Sequence, residues 1–137
     1  MKLILITLIS GIPYFLSFLL TALAIVFLGV WVYSRITPYD ELELIKKRNI
    51  SASISLSATI IGITLPIAFC LASSVNIYDL IIWGFVSLIV QILMFFLMDK
   101  ILKDISQKVQ EDNIAATLLY SMSKISSAII LSATIVG

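Results

Sequence analysis

Four runs of mostly apolar residues, approximately 14 to 33, 50 to 70, 78 to 97 and 114 to 134, leave this chain of 137 residues little choice of environment. A hydrocarbon core about 30 Å thick is crossed by about 20 such residues in a helix. Every backbone N–H and C=O in lipid must be satisfied inside its own segment, so each run is read as a spanning helix. The remaining composition agrees: 61% of residues are hydrophobic and 12% charged, with a mean hydropathy of +1.14, whereas soluble domains have about 45 to 50% apolar and about 25% charged residues. The expectation is an all-α membrane protein with four transmembrane helices in a single transmembrane domain, residues 1–137. Leu3 to Ile12 is apolar too, but Gly11-Ile12-Pro13 predicts a break that leaves the first residues as an interfacial piece or loose extension. The apolar run continues to Val32, longer than a signal-peptide core usually is, and is read as a span.

Composition also removes whole classes of function. A net charge of +1 provides no clustered basic surface for phosphate, so nucleic acid is not an expected partner. With no histidine and a single cysteine, Cys70, the chain cannot by itself build a zinc tetrahedron, a Cys/His nucleophile pair, a histidine-ligated haem or a disulfide. Neither a Gly-rich phosphate loop nor a lipase-type serine elbow is present. No enzyme activity, no cofactor and no metal are expected. The lipid bilayer is the expected surrounding.

Lys and Arg counts orient the spans. The first connection holds Arg35, Lys46, Lys47 and Arg48 and the third holds Lys100, Lys103 and Lys108; the opposite side has only Lys2. Basic connections stay inside, which predicts both charged connections in the cytoplasm and both termini outside. A shift of 64 positions superimposes Asn49-Ile50-Ser51-Ala52 on Asn113-Ile114-Ala115-Ala116 and Asp40 on Asp104. The predicted architecture is a parallel tandem repeat of two helical hairpins, repeat 1 about 14–70 and repeat 2 about 78–134, related by an axis along the membrane normal.

The spans differ in kind. Residues 50–69 and 114–133 each contain ten small residues, whereas 78–97 have only Gly84 and Ser87, beside Trp83, Phe85, Phe95 and Phe96. Membrane helices associate through small residues that let backbones approach and through hydroxyl hydrogen bonds. The second and fourth spans are expected to form the interior, with the bulky third span facing mostly lipid. Ser51, Ser55, Ala58 and Gly62 give the second span a continuous packing face, and Pro66 is expected to kink it.

In "TPYDELELIKKRN" Thr37 suits the cap of a short helix, Pro38 its first turn and Asp40 the capping-box position. Tyr39, Leu42 and Ile45 are expected to lie against the membrane while Glu41, Glu43 and Lys46 face water. Asn49 and Asn113 suit the caps of the second and fourth spans. The stretch is therefore read as a structural connection; Asp40, Glu41 and Glu43 are read as solvated charges and not as a cation site.

That stretch also carries a resemblance. "ITPYDELELIKKRNISASISLSATIIGITLPIA" is similar to the signature of bacterial YjfL-type membrane proteins, domain-of-unknown-function family number 350, and "IIWGFVSLIVQ" matches family text of the "LWGLV" kind. The resemblance covers essentially the whole chain. It implies a small bacterial inner-membrane protein made of a duplicated two-helix unit, with an Asn-(Ile/Val)-Ala-Ala motif opening the second and fourth helices. It carries no catalytic residues over. Members are often encoded beside membrane-stress proteins, which implies a role in the bacterial envelope by association. Ser53, Ser55 and Ser57, where Ala-rich text is common, and Lys124 depart from the family pattern.

Lys124 stands ten residues into the fourth span, about 15 Å deep. A lysine there costs roughly 2.5 to 3.5 kcal/mol on insertion scales and needs a partner, water or a route to the interface. The expected solution is snorkelling toward the cytoplasmic side with Gln91 of the third span as partner, in which case leucine would be tolerated at position 124. The competing solution is a polar path between copies of the chain, lined by Lys124, Ser121, Ala128 and Ser132. A structural or adaptor component of the envelope, with a cytoplasmic or membrane protein as partner, is thus the expected function. The alternative is an oligomeric channel or small transporter with its path near Lys124; a homo-oligomer is expected in either case.

Overall fold

The computed structural model describes residues 1–102 and 104–136. Lys103, counted above among the cytoplasmic charges, lies outside the described residues. The described residues are helical throughout, with no strand among them, in the order α1 (Lys2–Ile36), α2 (Glu41–Lys46), α3 (Ile50–Ser73), α4 (Ile77–Ile101), α5 (Ile105–Gln110) and α6 (Ile114–Val136). The four long helices are apolar and long enough to cross a membrane. α2 and α5 sit at one end of the bundle, called here the charged end.

The expected break at Gly11-Ile12-Pro13 does not occur, and α1 continues through Pro13 as one helix of 35 residues. Hydrocarbon explains this outcome: proline forfeits one backbone bond, whereas a break would leave several groups with no water to turn to. The first half of α1 packs little against the rest, and its buried residues, Ala22, Ile25, Gly29 and Tyr33, all fall in the second half.

α3 and α6 make the most extensive helix contact. Ser51, Ser55, Ala58, Gly62 and Pro66 of α3 are all buried. The facing stripe of α6 is Thr117, Ser121, Lys124, Ala128 and Ser132. The third span departs from the lipid-facing expectation at Phe95, which is fully buried. Its ring fits because Gly62 has no side chain: a Cβ there would lie 2.7 Å from Phe95 Cζ.

The first connection is also rearranged. Thr37 closes α1 instead of opening α2, with extended backbone and its hydroxyl donating to the Tyr33 carbonyl at 2.9 Å. The ring of Pro38 disfavours helical backbone at Thr37, which helps to end α1 there; the short helix begins only at Glu41, with Asp40 as its cap, accepting from Glu43 N–H at 3.3 Å. Six residues of α2 cannot present the expected stripe. Leu42 is exposed and Glu41 is buried, because Glu41, Leu44 and Ile45 share the side turned toward the bundle.

Sixty-four positions on, the geometry recurs locally. α2 and α5 have six residues each, Arg48 and Asp112 both take left-handed backbone, and Asn49 N–H and Asn113 N–H each donate to the carbonyl five residues back at 2.9 Å. Asn49 and Asn113 each cap the following helix, accepting from Ala52 N–H at 2.9 Å and from Ala116 N–H at 3.2 Å. Asp104, in contrast, makes no capping bond where Asp40 does.

Candidate functional site

Lys124 is fully buried. α6 turns it toward α3 because its small neighbours let the two helices close over the long side chain. Its ammonium donates to Thr59 Oγ1 at 3.1 Å and faces three aromatic rings, with centroids at 4.2 Å for Tyr120, 4.6 Å for Tyr33 and 5.0 Å for Phe95. These distances are those of cation–π attraction, which is worth most when desolvated. Snorkelling is therefore not the solution adopted, and Gln91 is not the partner: its amide donates to Ser127 Oγ at 3.4 Å, one turn beyond Phe95. The polar face of α6 is covered by α3 of the same chain, so Ser121, Ala128 and Ser132 do not line a surface between copies.

Two carboxylates stand near the ammonium without pairing to it. Asp99 accepts from the hydroxyls of both Tyr33 and Tyr120, at 3.4 Å from Tyr33, and the two hydroxyls are 3.0 Å apart. Glu41 reaches in from α2 and is 5% exposed, with Oε2 lacking any protein partner. Among the described residues the one ion pair within 4 Å is Lys47–Glu43, on the surface at 3.8 Å. Asp40, Glu41 and Glu43 thus have separate duties, as cap, buried acid and surface partner, and do not converge on a cation.

Hydroxyls and amides continue the polar character through the bundle. Buried oxygens without protein partners among the described residues are found on Ser51, Ser55, Ser121 and Gln91 as well as Glu41. Along α4, Asp99, Phe95, Gln91 and Ser87 recur every fourth residue on one face. Ser87 meets the buried Cys70 thiol at 3.2 Å, beside a cavity of about 420 Å³ at the far end that Asp79, Ser73 and Ser74 also line. At the charged end a cavity of about 650 Å³ is bounded by Ser34, Arg35, Tyr39, Asp40 and Glu41. The ionisable cluster lies between the two.

Lys124 stands out in the sequence as a lone charge in an apolar span, but the residues that surround it do not. No motif or spacing marks Asp99, Tyr33 or Tyr120 in the sequence; only their mutual contact gives them a role. The one available signal was that Glu41 precedes Leu44 and Ile45 at helical spacing.

Four apolar helices enclosing a buried lysine, aromatic cage and acids define a multi-pass membrane protein with an intramembrane ionisable site. The chain matches the family described as Domain of Unknown Function (DUF350) over residues 7–135, and it belongs to that family. It is 32% identical over 115 residues, 84% of this chain and 87% of the relative, to the UPF0719 inner membrane protein YjfL of Escherichia coli strain K12. The protein of the same name from Escherichia coli O157:H7 is similar to the same extent. No solved structure matches. The helices and these relatives together place the chain in the inner membrane as a multi-pass protein.

Proposed function

We propose that this protein is a small proton-conducting membrane protein whose path runs through the interior of one chain, with Lys124 at its centre. The observation that carries this reading is the complete burial of Lys124 among three aromatic rings, with further buried polar side chains in the bundle and a cavity toward each end. Ionisable groups inside a membrane are costly, and those that persist typically mark ion or proton routes. Three rings face the ammonium and two carboxylates stand near it, so the site favours positive charge and argues against anion permeation. The charged end is proposed to be cytoplasmic, as its basic residues suggest. The two halves are proposed to form a parallel tandem repeat, supported by the turns that recur 64 residues apart and by the α3–α6 contact expected at a two-fold axis. No second copy is needed to complete the path.

The test is proton flux into liposomes carrying the purified protein and an enclosed pH-sensitive dye, driven by a potassium diffusion potential. Flux above that of empty liposomes, lost in Lys124→Met, is expected. Wild-type protein that is folded by size exclusion yet passes no protons would reject the reading. An adaptor role remains the second reading, favoured by the placement of α2 on α3 and of α5 on α6 at one end with Lys47 and Lys108 exposed; burial of Glu41 withdraws that residue from any such surface.

A further inference from the structure

Glu41 is chemically out of place if α2 is only a connection. A glutamate on a surface helix of six residues has every opportunity to turn to solvent, as Glu43 does, yet Glu41 is 95% hidden with one carboxylate oxygen unpaired. It borders the charged-end cavity on one side. Inside the bundle, Ser55 and Ser121 also have buried hydroxyls that lack protein partners, and Tyr39 stands close to both Ser55 and Glu41. Ser55 is five residues into α3 and Ser121 seven into α6, both rising from the charged end, so the two hydroxyls stand at similar depth, one turn short of Thr59 and Lys124. Unpaired buried oxygens on facing elements are the places where internal water binds.

We propose that Glu41 is the proton-exchanging group at the charged end, passing protons between the cavity beneath α2 and the Lys124 cluster through water held by Ser55 and Ser121. The assignment deepens the proton-path reading and rests on it for its biological meaning, but the site itself is testable without transport. Proton transfer here needs no other reactant: the carboxyl O–H breaks as a water accepts the proton, and the reverse step restores it.

The groups facing Glu41 set the pH at which it works. Lys124 from α6 attracts the carboxylate, Asp99 from α4 and Asp40 beside it repel it, and the hydroxyls of Tyr33 of α1 and Tyr39 stand close. α3, on which α2 packs, presents hydroxyls there. Burial dominates this balance and, against the pull of Lys124, leaves the carboxyl pushed up to about 7.

Infrared difference spectra of the full chain in lipid films, taken across neutral pH, test the assignment. The C=O stretch of a protonated carboxyl should vanish as pH rises through about 7, should shift in heavy water, and should be missing in Glu41→Gln but kept in Asp99→Asn. Should Glu41→Gln fail to fold by size exclusion, Glu41→Asp serves instead and is expected to shift both the band and its titration, whereas Asp99→Asn keeps the band and lets it titrate at lower pH, because the repulsion of Asp99 is gone. A band that survives in Glu41→Gln, belongs to Asp99, or never titrates near neutrality overturns the proposal. Unchanged proton flux and pH profile in Glu41→Gln overturn it as well. A Glu41 band that titrates as expected in protein without flux refutes the transport reading alone.

Discussion

The Lys124 ammonium and the Thr59 hydroxyl meet 3.1 Å apart at the centre of the bundle, joining α6 to α3 across 65 residues of sequence. Thr59 spends its own proton on the Ser55 carbonyl at 3.0 Å, so its oxygen is free to accept from the lysine. That division of roles fixes the ammonium over the three rings.

Removing the charge should therefore destabilise the protein, contrary to the tolerance that snorkelling implies. Lys124→Met forfeits cation–π contacts of about 0.5 to 2 kcal/mol each and leaves Asp99 and Glu41 without a nearby cation. A loss of about 1 to 3 kcal/mol is expected after the gain from burying methionine, seen as a lower Tm in nanodiscs. Adding Asp99→Asn should recover part of it. A single mutant as stable as wild type would show that the cage contributes nothing to folding.

Gly62 is the place where α3 admits Phe95. The methyl of Gly62→Ala would lie 2.7 Å from Phe95 Cζ, and that ring is fully buried, so it cannot swing aside. Overpacking of this kind costs typically 1 to 3 kcal/mol. Because the same ring faces Lys124, the double change Gly62→Ala with Phe95→Leu should relieve the clash, recovering Tm, without restoring proton flux.

Asn49 and Asn113 occupy matching positions but do unequal work. Both cap a helix, yet Asn49 Nδ2 also donates to the carbonyls of Val109 at 3.0 Å and Gln110 at 3.3 Å, tying the start of α3 to α5. Asn113→Ala should cost about 1 kcal/mol, the usual value of a cap. Asn49→Ala should cost roughly twice that, since buried carbonyls lose their donor as well. Equal losses in thermal unfolding would mean that the α3–α5 tie is not stabilising.

Orientation is open to direct labelling. In a Cys70→Ser background, Asn76→Cys should react with an impermeant thiol reagent in whole cells and Lys47→Cys only after the membrane is opened, since Lys47 lies on the basic end. The reverse pattern would place the charged end outside.

Features that depend on local chemistry are legible along the chain: four spans from their apolar runs, the two asparagine caps, and the small-residue faces that bring α3 against α6. Lipid enforces such features residue by residue, because backbone bonds must close within a helix and close approach needs small side chains. Where local signals competed, the outcome escaped the sequence. Pro13 reads as a breaker until the alternative, a helix opened in hydrocarbon, is weighed, and Thr37 reads as a cap until α1 continues far enough to claim it. The tertiary structure alone decided the site. Tyr33 and Tyr120 are 87 positions apart and Tyr33 and Asp99 are 66 apart, on helices whose relative rotation no periodicity specifies. Only when those helices pack around Gly62 do a phenylalanine, two tyrosines and an acid converge on Lys124. The same packing, pressing α2 onto the end of the bundle, turns Glu41 from a surface charge into a buried one.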